Sequence, residues 1–103
     1  MVVELRVDNP TLPAEGHAVR VTAGGQPIAV FRVGGQLFAL DARCPHVGGP
    51  LDRGPVAGTQ VTCPLHGSIF DVRDGHLVRG PASHGVTAYR TRLDGTTLVL
   101  ERD

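Results

Sequence analysis

Two short segments of this chain carry side chains able to hold a metal. Cys44 and His46 are one residue apart, and Cys63 and His66 are two residues apart. These are the chain's only two cysteines and two of its five histidines. Each pair runs into glycine: CPHVGG from Cys44 to Gly49, and CPLHGS from Cys63 to Ser68. Side by side, two such loops offer two thiolates and two imidazoles to one small volume. Four chemistries are open. A Cys44–Cys63 disulfide leaves both histidines unexplained, and two cysteines in a cytosolic chain more often mean metal, catalysis or burial. Buried cysteines with incidental surface histidines make the paired spacing a coincidence. A Cys2His2 zinc site has suitable ligands, although structural zinc pairs usually have two to four residues between cysteines and Cys-x-His is tighter. The fourth is a two-iron, two-sulfide cluster held by mixed ligands.

Both pairs follow strand-like runs, Phe38-Ala39-Leu40 and Gln60-Val61-Thr62. The apolar pattern elsewhere is mostly of period two, in short runs ended by turn residues. Val3, Leu5 and Val7 alternate with Glu4 and Arg6, and Ala18 to Val21 leads into Gly24-Gly25. Ile28 to Val33 and Gln36 to Leu40 flank Gly34-Gly35, which predicts a hairpin. Asp94-Gly95 between Val86–Leu93 and Thr97–Leu100 predicts a second. Arg73-Asp74-Gly75 between Ile69–Val72 and His76–Val78 predicts a third. No stretch of helical length has a 3.6-residue period, and the weak helix candidates are rich in proline and glycine. An all-β fold follows, with an antiparallel sandwich base and an inserted loop-rich subdomain over about residues 41–84. That segment holds both cysteines and four histidines but too few apolar residues to fold alone. Residues 1–103 read as a single domain.

Composition narrows the function classes. Ten basic residues balance ten acidic ones, which argues against a polybasic nucleic-acid binder. No run of about 18 apolar residues exists to span a membrane. Glu4 and Arg6 interrupt the N-terminus where a signal peptide needs an apolar core, so a cytoplasmic protein is expected.

The two boxes, Cys44-Pro45-His46-Val47-Gly48-Gly49-Pro50-Leu51 and Cys63-Pro64-Leu65-His66-Gly67-Ser68-Ile69-Phe70-Asp71, closely resemble the Rieske family. Asp74-Gly75 and Gly80-Pro81-Ala82 resemble its turn and proline loop, and the similarity covers essentially the whole chain. The resemblance implies the Rieske fold and one [2Fe-2S] cluster. Cys44 and Cys63 would bind one iron, and His46 and His66 the other. Two neutral imidazoles in place of two thiolates leave the oxidised site near neutral and the reduced site at about −1, so an electron is accepted more easily than by an all-thiolate cluster. Outward imidazoles would link electron uptake to proton uptake at high pH.

The resemblance also assigns neighbours. Gly48, Gly49 and Gly67 would let backbone amides approach the cluster and its ligand sulfurs. Ser68 matches a hydroxyl that bonds a cluster sulfide and raises the potential. Phe70 stands where high-potential members have a tyrosine, and its simplest role is packing. Gly49 and Leu65 stand where the cytochrome-complex members have a second cysteine pair, so that disulfide is missing. These departures place the expected potential at the low end of the family range, near about −150 mV. Pro81 would shield the cluster, and Pro45, Val47 and Leu65 would form an apolar rim around two imidazole tips. The function implied is a monomeric ferredoxin, not catalytic by itself, passing single electrons from a reductase to a terminal oxygenase. The chain after His66 is too short for a mononuclear-iron catalytic domain. The small subunit of an NAD(P)H nitrite reductase shares this fold and is the alternative, and a zinc-stabilised interaction domain is a third. His17, His76 and His84 are expected at the surface, His84 nearest the site. Asp41, Arg43, Asp52, Arg53, Asp71 and Arg73 are expected as solvated charges or local ion pairs.

Overall fold

A computed structural model describes residues 2–45 and 48–103. In chain order its elements are β1 (Val3–Asp8), β2 (Ala18–Ala23), β3 (Gln26–Val33), β4 (Gln36–Asp41), a 3-10 turn (Leu51–Arg53), β5 (Val56–Ala57), β6 (Gln60–Thr62), β7 (Ile69–Asp71), β8 (Leu77–Arg79), β9 (Ala88–Asp94) and β10 (Thr97–Arg102). No α-helix occurs among the described residues. The strands form a six-stranded sheet, β1-β10-β9-β4-β3-β2, and a four-stranded sheet, β5-β6-β7-β8. Every strand pairing is antiparallel, so the expected all-β antiparallel fold is the one found.

Turn chemistry sets the hairpin registers. Ala23 pairs with Gln26 and Val33 with Gln36, leaving Gly24-Gly25 and Gly34-Gly35 as two-residue loops. All four glycines have positive φ, as a type I′ turn requires at both central positions. In the β9–β10 hairpin, Asp94 pairs with Thr97, so the turn is Gly95-Thr96 and lies one residue beyond the predicted position. β9 also begins at Ala88, not Val86. The Val86 N–H donates to the Gly75 carbonyl at 2.9 Å, and the Thr87 carbonyl accepts from the Asp41 N–H at 2.9 Å. Residues 86 and 87 therefore tie the small sheet to the large one before the ladder with β10 starts.

β3 is buried on both faces because it separates two cores. Ile28 and Val30 point into a cluster with Val21, Ala39, Tyr89, Leu98 and Leu100, inside the folded-over large sheet. Ala29 and Phe31 point the other way, into a cluster with Leu40, Ala42, Leu51, Val61, Phe70 and Val72. The period-two alternation explains how one strand serves two layers. Edge strand β1 has the ordinary half-exposed pattern instead. The second cluster also contains Cys44 and Cys63, so the thiols belong to the hydrophobic layer between base and small sheet. Burying a side chain such as Phe31 or Phe70 contributes roughly 1.5–3 kcal/mol.

The tie at residues 85–87 depends on backbone approaching backbone. A Cβ at Gly85 would meet the Gly75 carbonyl oxygen, and one at Gly75 would meet the Val86 carbonyl oxygen. Gly85 does not have a left-handed φ, so the constraint there is steric alone. Gly85→Ala is expected to lower unfolding stability by about 1–3 kcal/mol, as read from denaturant or thermal unfolding. An unchanged midpoint would mean the two backbones are not held in contact.

Candidate metal centre

The described residues of the two Cys/His segments carry matching backbone hydrogen bonds. The first leaves the end of β4 and the second leaves β6. In the first, the Cys44 N–H donates to the Gly49 carbonyl at 2.9 Å, and the Gly48 N–H donates back to the Cys44 carbonyl at 2.7 Å. In the second, the Cys63 N–H donates to the Ser68 carbonyl at 2.7 Å, and the Gly67 N–H donates to the Cys63 carbonyl at 3.0 Å. The sequence offsets are the same in both loops. Gly48 and Gly67 occupy the same place in the pattern and have φ of 74° and 81°. A side chain there would carry the cost of a left-handed backbone, which glycine avoids.

Both cysteines are buried, and neither is in a disulfide. They pack with Leu51, Val61, Phe70, Val72 and Ala82. His66, Pro64 and Pro45 are exposed. Leu65 is 55% exposed, an unusual position for a leucine. His46 and Val47, expected as a ligand and a rim residue, lie outside the described residues. Among the described residues no three His, Cys, Asp or Glu side chains converge on a single ion.

The two loops approach each other closely at Gly49. A Cβ built there would lie 2.6 Å from the Cys63 Sγ, and 3.1 and 3.2 Å from the Leu65 Cγ and Cδ1. Gly49 and Leu65, expected from the resemblance to replace a cysteine pair, are thus neighbours across the two loops. Ser68 is fully buried, and its Oγ accepts the Ala82 N–H at 2.9 Å. That bond joins the second loop to the Gly80-Pro81-Ala82 segment and leaves the hydroxyl proton to donate elsewhere. Pro81 is exposed while Ala82 is buried. Phe70 is fully buried and pairs with Val61 on β6, consistent with packing.

Three carboxylates expected as solvated charges or local ion pairs have specific partners. Asp71 is 3% exposed. It accepts the Arg73 N–H, the Arg73 guanidinium and the Thr59 hydroxyl at 2.8–3.3 Å. The Arg73 hydrogen bond holds its pKa down at about 2, against the ordinary 3.8. A depressed carboxylate pKa means stability that is present above the ordinary value and is lost as pH falls from about 3.8 toward 2. Asp52 receives the Arg20 guanidinium at 2.9 Å, linking the 3-10 turn after the first loop to β2. Asp41 accepts the Tyr89 hydroxyl at 2.7 Å, and burial with that contact pushes the Tyr89 pKa up to about 12. These partners are distant in sequence for Asp52 and Asp41, and spacing offers no signal for them. Asp71 had one in the Asp-x-Arg-Asp-Gly turn. The remaining histidines lie at the surface: His17 is exposed, His76 Nδ1 is 2.6 Å from Asp74, and His84 Nδ1 is 2.8 Å from the Gly85 carbonyl oxygen.

The described donors suit a cluster better than they suit a disulfide or inert burial. Two thiols lie in a dry layer, an imidazole lies at the surface beside them, and a buried hydroxyl has a proton to give. The close approach that Gly49 permits brings its backbone against one of the sulfurs.

Comparison with known proteins gives the same direction. The Rieske [2Fe-2S] domain family matches residues 5–90. The anthranilate 1,2-dioxygenase ferredoxin subunit of Burkholderia cepacia is 42% identical over 76 residues, covering 74% of this chain and 69% of the relative. The ferredoxin of carbazole 1,9a-dioxygenase from Nocardioides aromaticivorans superposes with a TM-score of 0.83 at 30% identity, covering 92% of this chain and 95% of that one. A chain in a complex of reduced oxygenase and oxidized ferredoxin of carbazole 1,9a-dioxygenase superposes with a TM-score of 0.80 at 28% identity, covering 93% and 99%.

Two substitutions separate the contributions. Ser68→Ala strands the buried Ala82 N–H, which costs about 1–3 kcal/mol, and it removes the hydroxyl donor. Lower unfolding stability is expected, together with a lower midpoint potential and full iron content. An unchanged or raised potential would show that the hydroxyl does not act on the cluster. Gly49→Ala places a methyl group against the Cys63 sulfur, so iron per chain should fall in protein that still folds. Full iron loading of that variant would refute the close approach.

Proposed function

The chain belongs to the Rieske [2Fe-2S] domain family, and we propose that it is a one-electron carrier, taking electrons from a reductase and passing them to a terminal oxygenase. The observation that carries this reading is the pair of matching hydrogen-bonded loops bearing both cysteines and His66. Relatives named as ferredoxin components of aromatic dioxygenase systems support it, since such components are not catalytic alone. A chain in an oxygenase–ferredoxin complex that this one resembles supports the terminal partner.

In this proposal Cys44 and Cys63 hold one iron as thiolates, and His46 and His66 hold the other through ring nitrogens. When bound, the cluster supplies a site that accepts and releases one electron. The chain's own residues do the rest. Leu51, Val61, Phe70 and Ala82 keep water from the thiolate side. Gly48, Gly49 and Gly67 let the loop backbones come close, Ser68 donates a hydrogen bond, and Pro81 with Leu65 covers the exposed side. His66 at the surface gives a short exit for the electron. Phe70 offers no hydroxyl, which supports a potential near the low end of the family range, about −150 mV.

Residues 1–103 are proposed to act as one Rieske domain, with about 41–84 as its cluster-binding part. The four-stranded sheet from Val56 to Arg79 within that part supports the division. A monomer in the cytoplasm completes the proposal.

Metal analysis with EPR and voltammetry tests the proposal. Cofactor-replete protein should contain about two iron and two sulfide per chain. The reduced protein should give a mixed-ligand cluster signal, and its potential should fall with rising pH at high pH. His46→Ala should abolish that signal. Stoichiometric zinc with no iron, or an unaltered spectrum in the His46 variant, would overturn the assignment.

A further inference from the structure

Charge is unevenly placed around the ligand loops, although the whole chain is neutral. Arg43, Arg53 and Arg79 are all exposed. None of the three appears in an ion pair or a side-chain hydrogen bond among the described residues. Each is placed by backbone at the root of a ligand loop. Arg43 immediately precedes Cys44 and bridges Pro50, which closes the far side of the first loop. Arg53 precedes Gly54, whose backbone lies against the Thr62 carbonyl just before Cys63. Arg79 pairs with Ile69, which immediately follows Ser68 at the exit of the second loop.

The carboxylates of the same region do not offset them. Asp52 is engaged by Arg20. Asp71 and Asp74 sit at the opposite end of the β7–β8 hairpin, with Arg73 and His76 as partners. Among the described residues, Asp41 is the one carboxylate near the loops without a cationic partner, and it is held by the Tyr89 hydroxyl. By contrast, the scaffold's acids and bases are largely matched: Arg6 with Glu4, Arg92 with Glu101, Arg90 with Asp103.

We propose that Arg43, Arg53 and Arg79 form a basic collar around the ligand loops that docks an electron-transfer protein whose contact face is acidic. The inference rests on the carrier reading and adds the sign of the partner's charge. A small carrier must present its redox centre to donor and acceptor in turn, so the surface beside the exposed His66 is the surface that meets them. Opposed charge at such a face raises encounter rates and orients the approach, and salt screens it. A molecule without net charge gains this steering only from a local patch. Leu65 and Pro64 within the collar are exposed and give the short-range contact.

Two measurements test the collar. In the first, reduced protein is oxidised in a stopped-flow instrument by trianionic ferricyanide or by tricationic tris(phenanthroline)cobalt(III). One electron leaves the cluster and reduces ferricyanide to ferrocyanide, or cobalt(III) to cobalt(II). Ionic strength is raised so that the Debye length shrinks from about 30 Å to about 8 Å. With the collar, the ferricyanide rate falls severalfold and the cobalt rate rises or stays level. A field set by the reduced molecule's overall charge would give the reverse, and that result overturns the proposal. In the second, holoprotein is applied to a sulfopropyl cation exchanger at pH 8 and low salt. Retention is expected, and flow-through overturns the proposal.

Two triple variants then locate the charge. Arg43→Gln, Arg53→Gln and Arg79→Gln together should abolish retention and reverse the ferricyanide salt dependence. Arg90→Gln, Arg92→Gln and Arg102→Gln remove the same formal charge from the scaffold end and should leave both largely intact. Equal loss in the two sets would assign the effect to net charge and refute the collar. Column retention reads the surface whether or not iron is present. Protein that is retained but contains no iron would therefore sink the carrier reading and leave the collar standing.

Discussion

The approach of Gly49 to the Cys63 sulfur is the contact on which the site depends. It brings two segments, one after β4 and one after β6, within van der Waals reach at a position where a Cβ would not fit. Neither loop could make that approach if it were free to sample other shapes. Each is therefore closed on itself by two backbone hydrogen bonds at identical offsets, with a left-handed glycine in the fourth position after the cysteine. The sulfurs enter a layer that Leu51, Val61 and Phe70 keep dry. A dry layer suits thiolates that bind metal and would strand any that did not, because an unpaired buried charge is costly.

The rest of the chain serves to hold the two strand ends at a fixed separation. β3 does this by closing two cores at once, one through Ile28 and Val30 and the other through Ala29 and Phe31. β4 repeats the arrangement with Ala39 and Leu40, and delivers Cys44 directly. The small sheet is anchored to this wall by the Gly75–Gly85 backbone contact and by the Val86 and Thr87 hydrogen bonds. Arg20 reaching Asp52 adds a polar strut on the first-loop side. Such a half-exposed pair contributes little stability by itself, so its value lies in fixing position.

Legibility in the sequence followed the range of the interactions. Hairpins closed by Gly-Gly were readable because a two-residue type I′ turn requires positive φ at both positions, and few residues besides glycine supply it. The β9–β10 turn was displaced by one residue because Asp94 itself joins the ladder, which the Asp-Gly signal does not reveal. Val86 has the side chain of a strand residue, but its N–H is claimed by Gly75, a contact no local pattern encodes. The Cys/His boxes were readable because their chemistry is concentrated in two short runs. Ser68 accepting from Ala82, Asp52 meeting Arg20 and Asp41 meeting Tyr89 were not readable, since each joins segments separated by 14 to 48 residues. Asp71 forms the local ion pair with Arg73 that was one of the two expectations for it, and the added Thr59 hydroxyl allows the carboxylate to be buried.

The missing cross-link at Gly49 and Leu65 shows how two loops can be held without a covalent bridge. A disulfide typically contributes about 2–4 kcal/mol, whereas one backbone hydrogen bond contributes about 0.5–1.5 kcal/mol net. Four such bonds close the two loops, and a fifth joins Ser68 to Ala82. Together they are of the same order as the bridge they stand in for, and the first four act within each loop. What they do not supply is a link between the loops. That link is left to the Gly49–Cys63 and Gly49–Leu65 contacts and to the buried layer beneath. A cluster sharing ligands from both loops would complete it. On this argument the metal would be a structural part of the site as well as its redox group, and the loops would be more separable without it than in a disulfide-bridged relative.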